Sequence, residues 1–96
     1  MEKHAIINEI VKIIKQHLPH GTHKIVLFGS WAKGTAVDTS DIDIGILGDH
    51  EIPFDRMNAI KHAVDEIPTL RSIDIVDLNA VSETFKQNAL KQARVL

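Results

Sequence analysis

Apolar residues recur at helical spacing in three parts of this chain. Between residues 3 and 17, isoleucines and a valine form a broad stripe that repeats every three or four residues, which predicts an amphipathic helix. The same spacing in residues 54–66, ahead of Pro68, predicts a second helix. A weaker apolar stripe predicts a last helix over residues 80–93.

Three shorter apolar runs are rich in β-branched residues and predict strands. Residues 24–28 read KIVLF, residues 41–47 read DIDIGIL and residues 72–78 read SIDIVDL. The predicted order is α-β-β-α-β-α, and the segment between the first two strands has room for a further short helix. This order predicts an α/β (α+β) fold, in which a small mixed β-sheet carries helices packed on one face.

Composition limits the class of protein. The 96 residues fit a single domain, 1–96, and the formal net charge of −2 lacks the basic excess typical of proteins that bind long nucleic acids. The absence of cysteine excludes disulfides, thiolate metal sites and a cysteine nucleophile. No apolar run approaches the roughly 20 residues of a membrane span, and the first residues do not resemble a signal peptide. We therefore expect a cytoplasmic protein with no membrane partner.

Two aspartates lie within the second predicted strand. Because alternate residues of a strand point to the same side, Asp41 and Asp43 face one way and the isoleucines between and after them face the core. Their Cα atoms are expected to lie about 6.5 Å apart, from about 3.3 Å per residue. Carboxylates so close repel each other unless a cation lies between them, and hard oxygen ligands favour magnesium or manganese.

A third aspartate is available in the third predicted strand. If residues 72–78 pair with residues 41–47, Asp74 joins the first two acids on one face, whereas Asp77 has the opposite parity. Three carboxylates suit two metal ions about 3.5–4 Å apart, the arrangement used for in-line attack at phosphorus.

A Gly-Ser turn follows the first predicted strand. Gly29 permits unusual backbone angles and the close approach of a phosphate, and the Ser30 hydroxyl and neighbouring N–H groups are suited to anionic oxygens. Lys33 adds a positive charge. A P-loop is excluded, because Thr35 stands where that motif requires lysine. The turn and the acids together predict a site for a nucleoside triphosphate and its metals.

The combined motif resembles a known superfamily. Gly29-Ser30, Gly34 and the run Ser40-Asp41-Ile42-Asp43, followed by an apolar strand bearing Asp74, resemble the nucleotidyltransferases related to DNA polymerase β. The pattern is most similar to the minimal nucleotidyltransferases, which are typically encoded beside a HEPN-domain partner as toxin–antitoxin pairs. The resemblance covers essentially the whole chain.

The resemblance implies a polymerase β-like fold and a set of residue roles. The implied nucleotide-binding residues are Gly29, Ser30, Lys33 and Ser40, and the implied catalytic and metal-binding residues are Asp41, Asp43 and Asp74. Two Mg²⁺ ions are implied, one of which activates the acceptor hydroxyl beside Asp74. Lys33 departs from the arginine usual in the family, which keeps the charge but loses the bidentate grip on phosphate.

The function implied by the resemblance is that of an antitoxin enzyme. It would transfer AMP from ATP to a hydroxyl, a tyrosine by the family's precedent, of a partner HEPN ribonuclease toxin and so neutralise it within a hetero-oligomer. The chain contains no tyrosine, so a tyrosine acceptor must belong to another protein.

Two other functions stay open at this point. A non-catalytic antitoxin acting by stoichiometric binding to the HEPN toxin would still protect cells after Asp41→Ala. A nucleotidyltransferase for a small molecule such as an aminoglycoside would turn over without a protein partner, although the chain shows no second substrate domain.

Overall fold

The helices and strands follow the predicted order, with one strand added at the end. The structure, a computed structural model, describes residues 2–29, 32 and 41–96. The elements in this part of the chain are α1 (Lys3–His17), β1 (His23–Phe28), β2 (Ile42–Gly48), α2 (Phe54–Asp65), β3 (Ile73–Asp77), α3 (Glu83–Leu90) and β4 (Arg94–Val95). The short helix considered between the first two strands falls outside the described residues.

The strands form one mixed sheet, as predicted. Among the described residues the sheet has four strands in the order β3-β2-β1-β4. β1 runs antiparallel to both β2 and β4, whereas β2 and β3 are parallel. β4 was not predicted, because two residues are too few to show an alternating pattern and only the free edge of β1 makes them a strand.

α1 has the bounds that the sequence predicted. The carboxylate of Glu2 caps its start by accepting hydrogen bonds from the backbone N–H groups of His4 and Ala5, at 3.0 and 3.3 Å. Leu18 adopts an extended conformation and ends the helix before Pro19. In the part of the chain that the structure describes, no helix is long and apolar enough to cross a bilayer.

The main core lies between the sheet and the first two helices. Strand register places Ile25 opposite Ile46 and Ile44 beside Ile75, and these side chains are buried on one face of the sheet. They pack with five buried isoleucines of α1 and with apolar residues of α2 and its end, namely Ile6, Ile7, Ile10, Ile13, Ile14, Ile60, Val64 and Ile67. The periodicities read from the sequence therefore identify this core correctly.

The last helix is shorter than predicted and contacts the other face of the sheet. α3 has eight residues, begins after the capping residue Ser82 and contains no buried residue. Its Phe85 meets Phe28 edge to face, with ring centroids 6.2 Å apart and planes at 85°. Phe28 pairs with Asp43 on the face opposite the isoleucine core, so the prediction that the helices pack on one face holds for α1 and α2 only.

Gly45 allows a buried leucine to close over this second face. A Cβ atom at Gly45 would lie 2.7 Å from Cδ1 of Leu78 and 3.1 Å from Cγ2 of Val26. Leu78 is fully buried, and its N–H donates to the Ile46 carbonyl at 2.9 Å, so neither its side chain nor its backbone is free to retreat. The glycine is therefore a packing requirement of the sheet.

We predict that Gly45→Ala lowers the free energy of unfolding by about 1–3 kcal/mol, the usual cost of overpacking. Urea denaturation monitored by circular dichroism measures this change. The double variant Gly45→Ala/Leu78→Val relieves the contact, so it should lose less stability than the sum of the two single variants. Strict additivity would contradict the contact.

Candidate functional site

Asp43 and Asp74 are neighbours on adjacent parallel strands. Their Cα atoms are register partners in the β2–β3 ladder, where strands lie about 4.8 Å apart, and both side chains project from the face opposite the isoleucine core. Asp41 directly precedes β2, and the next N–H, that of Ile42, donates to the Ser72 carbonyl at 2.9 Å. This bond holds the start of β2 against the start of β3, so the three predicted acids come together.

The three carboxylates also interact electrostatically. Asp43 is half-buried, while Asp41 and Asp74 are exposed. Burial raises the pKa of Asp43, and the negative charges of Asp74 and Asp41 raise it further. The site therefore holds an unfavourable concentration of negative charge, which a bound cation would relieve.

Gly29 brings the turn after β1 against the same carboxylate. Its φ angle of 73° lies in the left-handed region that favours glycine. A Cβ atom at this position would overlap Oδ2 of Asp43 and lie 3.2 Å from its Cγ. The position thus requires glycine for two reasons: its backbone angle and the close approach of the Asp43 carboxylate. This close approach places a turn backbone directly beside the acids.

The structure therefore brings together four of the seven predicted site residues. Gly29, Asp41, Asp43 and Asp74 form one cluster at the junction of β1, β2 and β3. The other three, Ser30, Lys33 and Ser40, lie outside the described residues, and their roles stay predictions.

Asp77 has a structural role at the opposite end of the sheet, as its parity suggested. Its two carboxylate oxygens accept hydrogen bonds from the N–H groups of Ile52 and Asn79, at 2.7 and 2.9 Å. The Asn79 side chain in turn pairs with both backbone groups of Gly48, at 2.9 and 2.7 Å. These bonds tie the loop after β2 to the end of β3, away from the three acids.

A pocket that the sequence did not predict opens beside Gly29. Its volume is about 660 Å³, and it is lined by Phe28, Gly29, Phe85, Asn88, Ala89, Lys91 and Gln92. Most of these residues belong to α3 or follow it, so the pocket exists because Phe85 docks on Phe28. The sequence signal was a run of amide and lysine side chains after Phe85, which by itself is typical of any exposed helix.

The donor set of the acid cluster suits a hard divalent cation. Ionised carboxylates are acceptors only, and magnesium takes one or two of them while water and phosphate oxygens complete its shell. Across residues 2–29, 32 and 41–96, no group of three or more acidic or histidine side chains is already arranged to hold a metal ion. The case for a divalent cation at Asp41, Asp43 and Asp74 therefore rests on their oxygen ligands and on the mutual repulsion of their charges.

Comparison with protein families gives one match across most of the chain. The family model described as "Polymerase beta, Nucleotidyltransferase" matches residues 8–96. The match includes the Gly29 turn and all three acids.

Two relatives are about a third identical to the chain over the aligned residues. A protein of Methanocaldococcus jannaschii, named as a candidate protein adenylyltransferase, is 33% identical, and the match covers 100% of this chain and 99% of that protein. The protein adenylyltransferase MntA of Shewanella oneidensis is 30% identical over 93% of this chain. The chain spans 63% of the length of MntA.

A solved structure shares the fold. A crystal structure of a toxin–antitoxin with AMP-PNP matches with a TM-score of 0.68 and 28% sequence identity. The match covers 92% of this chain and 69% of the chain in that structure.

We predict that, without divalent metal, Asp43→Asn stabilises the protein at neutral pH. Because the pKa of Asp43 is raised in the folded protein, folding favours the protonated carboxyl group. Protonated Asp43 therefore adds to the free energy of unfolding in full below about pH 4, and this contribution is lost as the pH rises through the folded pKa. The side-chain amide of Asp43→Asn stays neutral at every pH, so the variant does not lose this stability as the pH rises. Urea unfolding in EDTA between pH 4 and 8 measures the effect.

Asp49→Asn is the matched control for this prediction. Asp49 is an exposed aspartate that follows the far end of β2, about 20 Å along the strand from Asp43. Its replacement should leave the pH dependence of wild-type stability in place. If stability declines with pH to the same extent in Asp43→Asn as in wild type, the decline comes from groups other than Asp43 and the prediction is wrong.

Proposed function

The chain belongs to the polymerase β nucleotidyltransferase family, and we propose that it transfers AMP from ATP to a hydroxyl of a partner toxin, as an antitoxin. The observation that carries this proposal is the pairing of Asp43 with Asp74 beside the Gly29 turn. Carboxylates on neighbouring strands can hold the metal ions of nucleotidyl transfer, and a glycine turn beside them supplies backbone N–H groups for the phosphates.

The relatives support ATP as the substrate and a protein as the acceptor. Those at 33% and 30% identity are named for protein adenylyl transfer, and the toxin–antitoxin structure was solved with AMP-PNP, an ATP analogue. The motif resemblance points to a HEPN ribonuclease as the toxin and to tyrosine as the acceptor. ATP is the substrate in this proposal, and the cytoplasm, where ATP is abundant, is the compartment.

The arrangement of strands suits an in-line reaction. Asp43 lies on β2, with Gly29 after β1 on one side and Asp74 of β3 on the other. With the triphosphate held on the Gly29 side, the acceptor hydroxyl approaches the α-phosphorus from the Asp74 side. A bond forms between the hydroxyl oxygen and the α-phosphorus, the bond to the bridging oxygen breaks and pyrophosphate leaves. The hydroxyl proton passes to the Asp74 carboxylate.

The chain's own residues would hold the charged groups in place. Asp41, Asp43 and Asp74 would ligate two Mg²⁺ ions, which when bound neutralise the triphosphate and favour ionisation of the acceptor hydroxyl. Gly29 lets the turn after β1 lie against the Asp43 carboxylate, and its backbone would contact the phosphates from there. Ser30, Lys33 and Ser40 are proposed as further contacts to the nucleotide.

We predict that Asp43→Ala and Asp74→Ala each reduce AMP transfer at least about a hundredfold, because each removes a carboxylate that would hold the metal ions stabilising the charge of the transition state. The chain is co-expressed with its cognate HEPN toxin, and the intact mass of the toxin is measured. Wild type and the control Asp49→Asn should add one or more AMP units to the toxin.

The same experiment separates catalysis from stoichiometric binding. A toxin that stays unmodified with wild type, yet co-purifies with wild type and both alanine variants, would overturn the transferase proposal. Protection of cells by the alanine variants under those conditions would make the chain a binding antitoxin.

We predict that Mg²⁺ with ATP raises the melting temperature of wild type and that EDTA reverses the rise. A ligand at 100 times its Kd stabilises the folded state by about 2.7 kcal/mol. Asp43→Asn and Asp74→Asn should lose most of this shift, because each removes a charged ligand, whereas Asp49→Asn should keep it. An equal shift in all four proteins would contradict metal binding at the acids. Differential scanning fluorimetry measures the shifts.

A further inference from the structure

The pocket between Gly29 and α3 adjoins the acid cluster but is separate from it. Gly29 is common to both, because it lies against the Asp43 carboxylate and also lines the pocket. The volume of about 660 Å³ lies within the range of about 300–1,000 Å³ typical of small-molecule sites. A ligand that reaches the acids past Gly29 therefore has space to extend toward α3.

The position of the pocket in the sheet indicates which substrate would enter it. The strand order β3-β2-β1-β4 places Gly29 and Asp74 on opposite sides of Asp43. In-line displacement needs the acceptor and the leaving group on opposite sides of the phosphorus. If the acceptor approaches beside Asp74, the pocket lies on the nucleotide side of the reaction.

The lining of the pocket has the chemistry of a base-binding site. Phe85 is 43% exposed although it is a large apolar side chain, so it offers ring surface to a planar ligand. Asn88 and Gln92 also line the pocket, and each amide carries both donors and an acceptor. Adenine presents an amino donor beside a ring-nitrogen acceptor, which an amide matches with two hydrogen bonds. Lys91 adds a positive charge at the same place, suited to an anionic nucleotide.

We propose that this pocket holds the nucleobase of ATP, with Phe85 stacking on the base and Asn88 and Gln92 selecting adenine. The inference rests on the proposed function, since it assumes that a nucleoside triphosphate occupies the acid cluster. It adds the residues that determine which nucleotide is used. Phe85, Asn88 and Gln92 are specificity residues and make no contact with the reacting phosphorus.

Equilibrium binding tests the pocket without requiring catalysis. Isothermal titration calorimetry in Mg²⁺ compares ATP, GTP and ribose 5-triphosphate, which lacks a base. Wild type should bind ATP more tightly than the other two. Phe85→Leu keeps an apolar residue against Phe28 but removes the aromatic ring, and Asn88→Ala/Gln92→Ala removes both amides.

Both variants should weaken ATP binding while leaving ribose 5-triphosphate unaffected. The expected loss with Phe85→Leu is about fivefold to a hundredfold, from the usual contribution of stacking. The amide variant should also reduce the preference for ATP over GTP. Gln87→Ala is the matched control, because Gln87 is an amide of α3 outside the pocket that bonds to Glu83 at 2.8 Å, and it should bind as wild type does.

The outcomes distinguish this inference from the proposed function. If wild type binds ATP and ribose 5-triphosphate equally, the base pocket is wrong while nucleotide binding stands. If the variants keep their ATP affinity but raise the KM for the toxin, the pocket receives the acceptor and the inference is overturned. If wild type binds neither triphosphate, both proposals fail together.

Discussion

The register between β2 and β3 is the constraint on which the rest of the molecule depends. Pairing of Ile42 with Ile73 and of Ile44 with Ile75 buries isoleucine side chains against α1 and α2. A slip of one residue would turn these side chains out of the core, so burial specifies the register strongly. The same register sets Asp43 beside Asp74 on the other face, where their charges repel. Hydrophobic packing on one face thus offsets the electrostatic cost of the site on the other.

Two glycines shape the face of the sheet that bears the acids. Gly29 allows the turn after β1 to reach the Asp43 carboxylate, and Gly45 allows Leu78 to fold down over the sheet. The buried isoleucine face, by contrast, is filled by branched side chains from both helices and strands. One face of a small sheet can therefore serve stability while the other keeps space for charge and ligand.

Two aspartates of β3 show how position decides the role of a residue type. Asp74 projects from the open face beside Asp43, whereas Asp77, three residues later, satisfies two backbone N–H groups of neighbouring loops. The difference follows from the alternation of a strand and from the end of the sheet at which each residue lies. Nucleotidyl transfer needs acids at the end where β1 turns, and the loop contacts of Asp77 hold the other end together.

Local periodicity was enough to predict α1, α2, three strands and the common face of Asp41 and Asp43, because helical and strand spacing record which side chains face a common core. The place of Asp74 beside them depended on the pairing of β2 with β3. The turn at Gly29 was also predicted, since a glycine at the end of a strand indicates a turn. The sequence did not predict β4, the shortened α3 or the pocket between Phe85 and Gly29. Each of these depends on contacts between residues far apart in the chain: an edge of β1 that pairs with Val95, and a Phe28 ring that meets Phe85. No local pattern records such contacts, because only folding brings the partners together.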